Sequence, residues 1–165
     1  DFSSILTNPR AAGPHAVRDA VLFTYSGLVT NDGDLFKVIG QAKAAGAKPA
    51  LAIVKQGYKP DMKKRGTLRT VFDGRYKFTR YFSPLDHNRP TTFDELYKWN
   101  DVELFDLDTD PGEMVNLGAD STANRDLILA MSAKLEALIK AEIGVDDGRE
   151  LPNIPLVTWT IDKVS

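Results

Sequence analysis

The chain contains no cysteine. That absence excludes a disulfide framework, a thiolate zinc site and a cysteine nucleophile together. It leaves the compartment open, because a cysteine-free domain folds in reducing and oxidising surroundings alike. Histidine is scarce too: His15 and His87 alone cannot build a zinc site. Positive charge shows no surplus, with 21 Lys and Arg against 23 Asp and Glu for a net charge of −2. That balance argues against a nucleic-acid partner, whose binders normally carry a basic face. No apolar run approaches the ~20 residues of a membrane span, so no membrane partner is expected. Residues 1–10 lack the basic start and apolar stretch of a signal peptide. Glycine-rich phosphate loops, the H-E-x-x-H zinc motif and the G-x-S-x-G nucleophile elbow are missing as well.

What remains has the composition of an ordinary soluble domain. At 165 residues, with 42% hydrophobic and 27% charged, the chain is long enough to bury a core. It opens on Asp1 rather than methionine, which reads as a processed product or a fragment, with the chemistry expected upstream. Lys59, Lys63, Lys64, Arg65 and Arg69 cluster and read as a solvated loop before a strand.

Hydropathy patterning sets out the elements. Phe2, Ile5 and Leu6 suit one turn of helix before Asn8-Pro9 and Gly13-Pro14 break it. Ala20 to Tyr25 is a short apolar run that fits a buried strand, apolar enough that a missing partner is expected beside it. Asn31 to Asp34 gives a turn and an N-cap for a helix built on Leu35, Val38, Ile39, Ala42 and Ala45 and closed by Gly46. Ala50 to Lys55 reads as a strand or an extended connector. Two alternating runs around Asp73-Gly74, spanning residues 67–82, predict a hairpin with a type I′ turn. A further strand over Val102 to Leu107 should pair antiparallel with it. Leu127, Ile128, Met131, Leu135, Leu138, Ile139 and Ile143 share one face of a long helix over Thr122 to Ile143, capped by Ser121 or Thr122 and stopped by Gly144. The tail alternates Leu156, Thr158 and Thr160 with Val157, Trp159 and Ile161, and reads as an edge strand or a segment wrapped on a neighbour. The fold class is therefore α+β: a small antiparallel sheet of about three to four strands under one long C-terminal amphipathic helix, with an N-terminal junction segment.

Few residues suggest chemistry. Asp106, Asp108, Asp110 and Glu113 match a calcium loop only loosely, because the required glycine and terminal glutamate do not line up, and they read as a solvated acidic turn. His87, Asn88 and Arg89 sit together in a polar loop, Pro84 to Pro90. Such loops present their side chains to solvent and carry function more often than most.

Two segments carry something more specific. The run Glu103-Leu104-Phe105-Asp106-Leu107-Asp108-Thr109-Asp110-Pro111-Gly112-Glu113-Met114-Val115-Asn116-Leu117 resembles the C-terminal signature of sulfatases. The hairpin sequence Phe72-Asp73-Gly74-Arg75-Tyr76-Lys77 resembles the strand pair that precedes it in that family. Asp1 to Leu6 and Val17 to Phe23 are similar to the segment joining the catalytic to the C-terminal domain. The likeness covers most of residues 1–143 and stops at Gly144.

The resemblance implies a two-part enzyme of the alkaline-phosphatase superfamily. Its N-terminal domain would hold a Cys/Ser-x-Pro-x-Arg motif whose first residue becomes formylglycine, beside a divalent metal, usually calcium. No proline here has Cys or Ser two positions before it, so no catalytic residue, metal ligand or cofactor is assigned to this chain. On this reading residues 1–66 complete the parent's catalytic domain, residues 67–147 form the C-terminal subdomain, and residues 148–165 are an extended tail available for homo-oligomer contacts. The N-terminal catalytic domain is the expected partner. His87, Asn88 and Arg89 are the substrate-pocket candidates, a guanidinium being suited to an anionic sulfate ester. A related phosphonate or phosphodiester hydrolase fits the same signature, and a stand-alone interaction module is the alternative from another class.

Overall fold

The computed structural model describes residues 3–13, 15–27, 33–58, 61–86 and 89–148. The expected first turn of helix is α1, Ser3–Thr7, followed by a single 3-10 turn at Pro9–Ala11. Four strands follow in simple order: β1 Val21–Ser26, β2 Thr67–Phe72, β3 Tyr76–Phe82 and β4 Asn100–Asp106. They form one antiparallel sheet, β1-β2-β3-β4, with Leu22 opposite Val71, Val71 opposite Phe78, and Phe78 opposite Leu104. The α+β class holds.

Two helices, α2 (Gly33–Ala44) and α3 (Pro49–Lys55), intervene between β1 and β2. They form a hairpin with a core of its own, in which Leu35, Val38 and Ile53 are buried. Ala50 to Lys55 is thus helical rather than extended. Pro49 at the first helical position presets φ, and the apolar run packs on α2 instead of on a sheet. α4, Phe93–Trp99, enters β4 directly and is held at its start by a capping box between Thr92 and Glu95.

α5, Arg125–Glu142, lies across one face of the sheet. Its stripe of Ile128, Met131, Leu135 and Ile139 meets Val71, Phe78, Val102 and Leu104, all buried. Each such side chain contributes about 1.5–3 kcal/mol over its exposed state, so this layer dominates the stability of the subdomain. Asn124 rather than Ser121 or Thr122 takes the N-cap position. Its side chain turns away from the helix to donate to Leu117 O and Asp120 O, which ties the preceding loop down. Gly144, with φ of 84°, ends the helix as expected, its N–H reaching Ile139 O.

Two further expectations change. In the hairpin turn only Gly74 has positive φ, so Asp73-Gly74 does not fill both central positions of a type I′ turn. Asp73 instead stands one place earlier and its carboxylate accepts from the N–H groups of Arg75 and Tyr76. Among the described residues β1, read as buried, is an edge strand with Val21, Phe23 and Tyr25 46–55% exposed on the face opposite α5. The 149–165 tail, with its expected strand, lies outside the described residues, as do Asn31 and Asp32 of the expected cap.

Candidate functional site

His87 and Asn88 lie outside the described residues. Arg89 is described: it is exposed, and its Nη2 donates to the backbone carbonyl of Asp146 at 3.4 Å. The loop that carries it leaves β3 through Ser83, whose buried hydroxyl donates to Met62 O and accepts from Leu85 N. Arg89 therefore sits at one end of the sheet, on the α5 side.

That end holds an ionic cluster. Arg69 on β2 and Arg80 on β3 are directly opposite in the register, and both are fully buried. Two like charges so placed require carboxylates. Arg69 Nε and Nη2 each donate to Asp146 at 2.8 Å, a fork-to-fork pair that water does not reach. Arg69 Nη1 adds a bond to Leu68 O. Arg80 Nη2 donates to Glu136 on α5 at 2.9 Å, and Nη1 to Asn100 Oδ1. The Phe82 ring takes both guanidiniums, 5.3 and 5.2 Å from its centroid. Burial dominates the titration of the second pair: it pulls Arg80 below its ordinary value and pushes Glu136 above its own, while their mutual attraction opposes both shifts. Arg69, read from sequence as part of a solvated basic cluster, is instead a core residue. The expected Asp73-Gly74 turn would have set Arg69 against Phe78; only the observed register, with Phe72 opposite Lys77, sets it against Arg80.

A second feature is the sheet face away from α5. A shallow depression of about 500 Å³ is lined by Phe23, Leu68, Phe72 and Tyr81 together with Lys77 and Glu103. Phe23 and Tyr25 stack with centroids 6.5 Å apart. Tyr81 donates to Glu103, and burial, reinforced by that carboxylate, pushes its phenol up to about 12. This face is apolar, aromatic and uncovered among the described residues.

The acidic turn after β4 is spent on structure. Asp106 takes Arg75 Nε and Nη2 at 3.0 and 2.8 Å, Asp110 accepts from Val115 N, and Glu113 pairs with Lys77. The Arg75 contact holds the Asp106 carboxyl below its usual range. Asn116 then folds the chain back onto β4: its Oδ1 accepts from Leu104 N and Gly118 N, and its Nδ2 donates to Val102 O. Among the described residues no three His, Asp or Glu side chains are grouped to hold a metal ion.

A scan against protein-family models finds no match to the chain, and a search of curated proteins finds none either.

Proposed function

We propose that the chain is the C-terminal accessory part of a sulfatase-type hydrolase, contributing to the substrate pocket and to assembly rather than to bond cleavage. One observation carries this reading: the two segments that resemble the family are physically coupled. Arg75 of the hairpin segment holds Asp106 of the long signature through two hydrogen bonds, and its carbonyl accepts from Leu107 N. Lys77 of the hairpin likewise pairs with Glu113. The residues of the signature thus have a common physical reason to occur together, which is closure of one corner of a four-stranded sheet.

The uncovered aromatic face adds support, since an accessory domain needs a surface on which to meet a larger body. The same face suits a stand-alone interaction module, and activity separates the two. The protein encoded by the complete reading frame should hydrolyse para-nitrophenyl sulfate in preference to the corresponding phosphodiester. Replacing His87 and Arg89 together by alanine in that enzyme should lower kcat/KM for the sulfate ester. A complete protein with no esterase activity removes the hydrolase reading. An active one indifferent to both replacements removes the pocket role alone.

A further inference from the structure

The two edges of the sheet are finished differently. At β4 the returning chain covers the edge: Leu117 N donates to Leu104 O, and the Asn116 side chain bonds Leu104 N and Val102 O. At β1 the described residues supply a neighbour on one side only, β2. Folded proteins blunt such an edge with charge or proline, and Val21–Ser26 contains neither. Ser26 gives a second sign of a missing neighbour, since its Oγ is buried and has no hydrogen-bond partner among the described residues.

The described part of the chain ends close to this edge. Asp146 is clamped to Arg69 by two bonds of 2.8 Å, and Gly148 N donates to the same carboxylate at 3.0 Å. Arg69 is paired in the sheet with Thr24 of β1, so the chain is fastened one strand spacing, about 4.8 Å, in from the edge. Residues 149–155 can span up to roughly 23 Å, ample to reach the far side of β1.

Residues 156–161 then match β1 in length and in the character of each face. β1 sets Leu22, Thr24 and Ser26 toward α5, and Val21, Phe23 and Tyr25 toward the open face. The tail alternates Leu156, Thr158 and Thr160 with Val157, Trp159 and Ile161, and this stretch too lacks charge and proline. Laid beside β1, its hydroxyls fall next to Thr24 and Ser26, where cross-strand Thr–Ser bonds can form, and its large side chains lengthen the aromatic row. We propose that residues 156–161 of this same chain form a fifth strand on the outer edge of β1, with Trp159 on the face of Phe23 and Tyr25.

Nuclear magnetic resonance on the 165-residue chain tests this. Backbone NOEs should join residues 156–161 to residues 21–26, and a sample mixing labelled with unlabelled chains should show them to be intramolecular. The β1 amides directed away from β2 should be protected from exchange. Successive N–H groups of a strand point to opposite sides, so of Val157→Pro and Thr158→Pro one removes a bond to β1. That variant should speed exchange of those amides by about tenfold while the β3 and β4 amides keep their rates. NOEs found only between chains would make a second copy the occupant and overturn the proposal. So would the absence of these NOEs, free exchange of the outward β1 amides, or two proline variants that exchange like the unaltered chain. Should neither variant fold, the NOEs and exchange of the unaltered chain decide the matter alone.

Discussion

Asn116→Ala gives the sharpest test of how the signature segment works. The Asn116 side chain makes three hydrogen bonds, to Leu104 N, Gly118 N and Val102 O, at 2.9, 2.8 and 3.1 Å. All three partners are backbone groups, two on β4 and the third, Gly118 N, in the loop that returns along it through Leu117, whose N–H reaches Leu104 O. A neutral hydrogen bond contributes about 0.5–1.5 kcal/mol net, so loss of the three totals about 3 kcal/mol. For a chain of this size about 2–4 °C of melting temperature accompanies each kcal/mol, which predicts a fall of about 9 °C. Urea unfolding followed by circular dichroism supplies the free energy, and calorimetry supplies the temperature. Asn116→Asp keeps the acceptor but loses the donor to Val102 O, and should lie between alanine and the native residue. A loss below about 1 kcal/mol in the alanine variant would refute the assignment of Asn116 as the pin of this corner.

Three other perturbations probe the remaining layers. Gly118→Ala would bring a Cβ within 2.9 Å of the Val102 carbonyl oxygen, a backbone atom that cannot swing aside, and should cost about 1–3 kcal/mol by urea unfolding. Arg75→Met acts on acid stability. Arg75 lowers the folded pKa of Asp106, so the pair stabilises the fold above the unfolded carboxyl pKa, and that contribution is lost as pH falls through the folded value. The variant should show a shallower decline of the urea midpoint on acidification, with little difference left at the acid end. Phe23→Ser, at a side chain 55% exposed on the uncovered face, should change stability by less than about 0.5 kcal/mol while reducing binding of a hydrophobic dye and any self-association.

The elements with strong periodicity were legible in the sequence. The Leu127 to Ile143 stripe implied α5, the alternation around Asp73-Gly74 implied β2 and β3, and the apolar run before Asp110-Pro111-Gly112 implied β4. Ala50 to Lys55 was not, because a short apolar run has no period that separates helix from strand; Pro49 at the helix start decided it. α4 was missed although Thr92-x-x-Glu95 spells a capping box, a signal obscured by the polar loop beside it. The apolar character of β1 pointed both to a buried strand and to one lacking its partner, and among the described residues the second is what is seen. Its alternate residues Val21, Phe23 and Tyr25 face the uncovered side, and hydropathy alone does not distinguish a core from an unpartnered surface. Among the pocket candidates, Arg89 proved to stand beside a cluster that charge runs could not reveal. Arg69, Arg80, Glu136 and Asp146 are brought together only by strand register and by the turn after α5.

The central claim, that these residues are the C-terminal part of a sulfatase-type hydrolase, is tested most directly by sequencing the gene upstream of the Asp1 codon. The expected result is an open frame running back to a Cys/Ser-x-Pro-x-Arg motif in a large N-terminal domain. A start codon immediately before Asp1, with no such motif in frame, would contradict it.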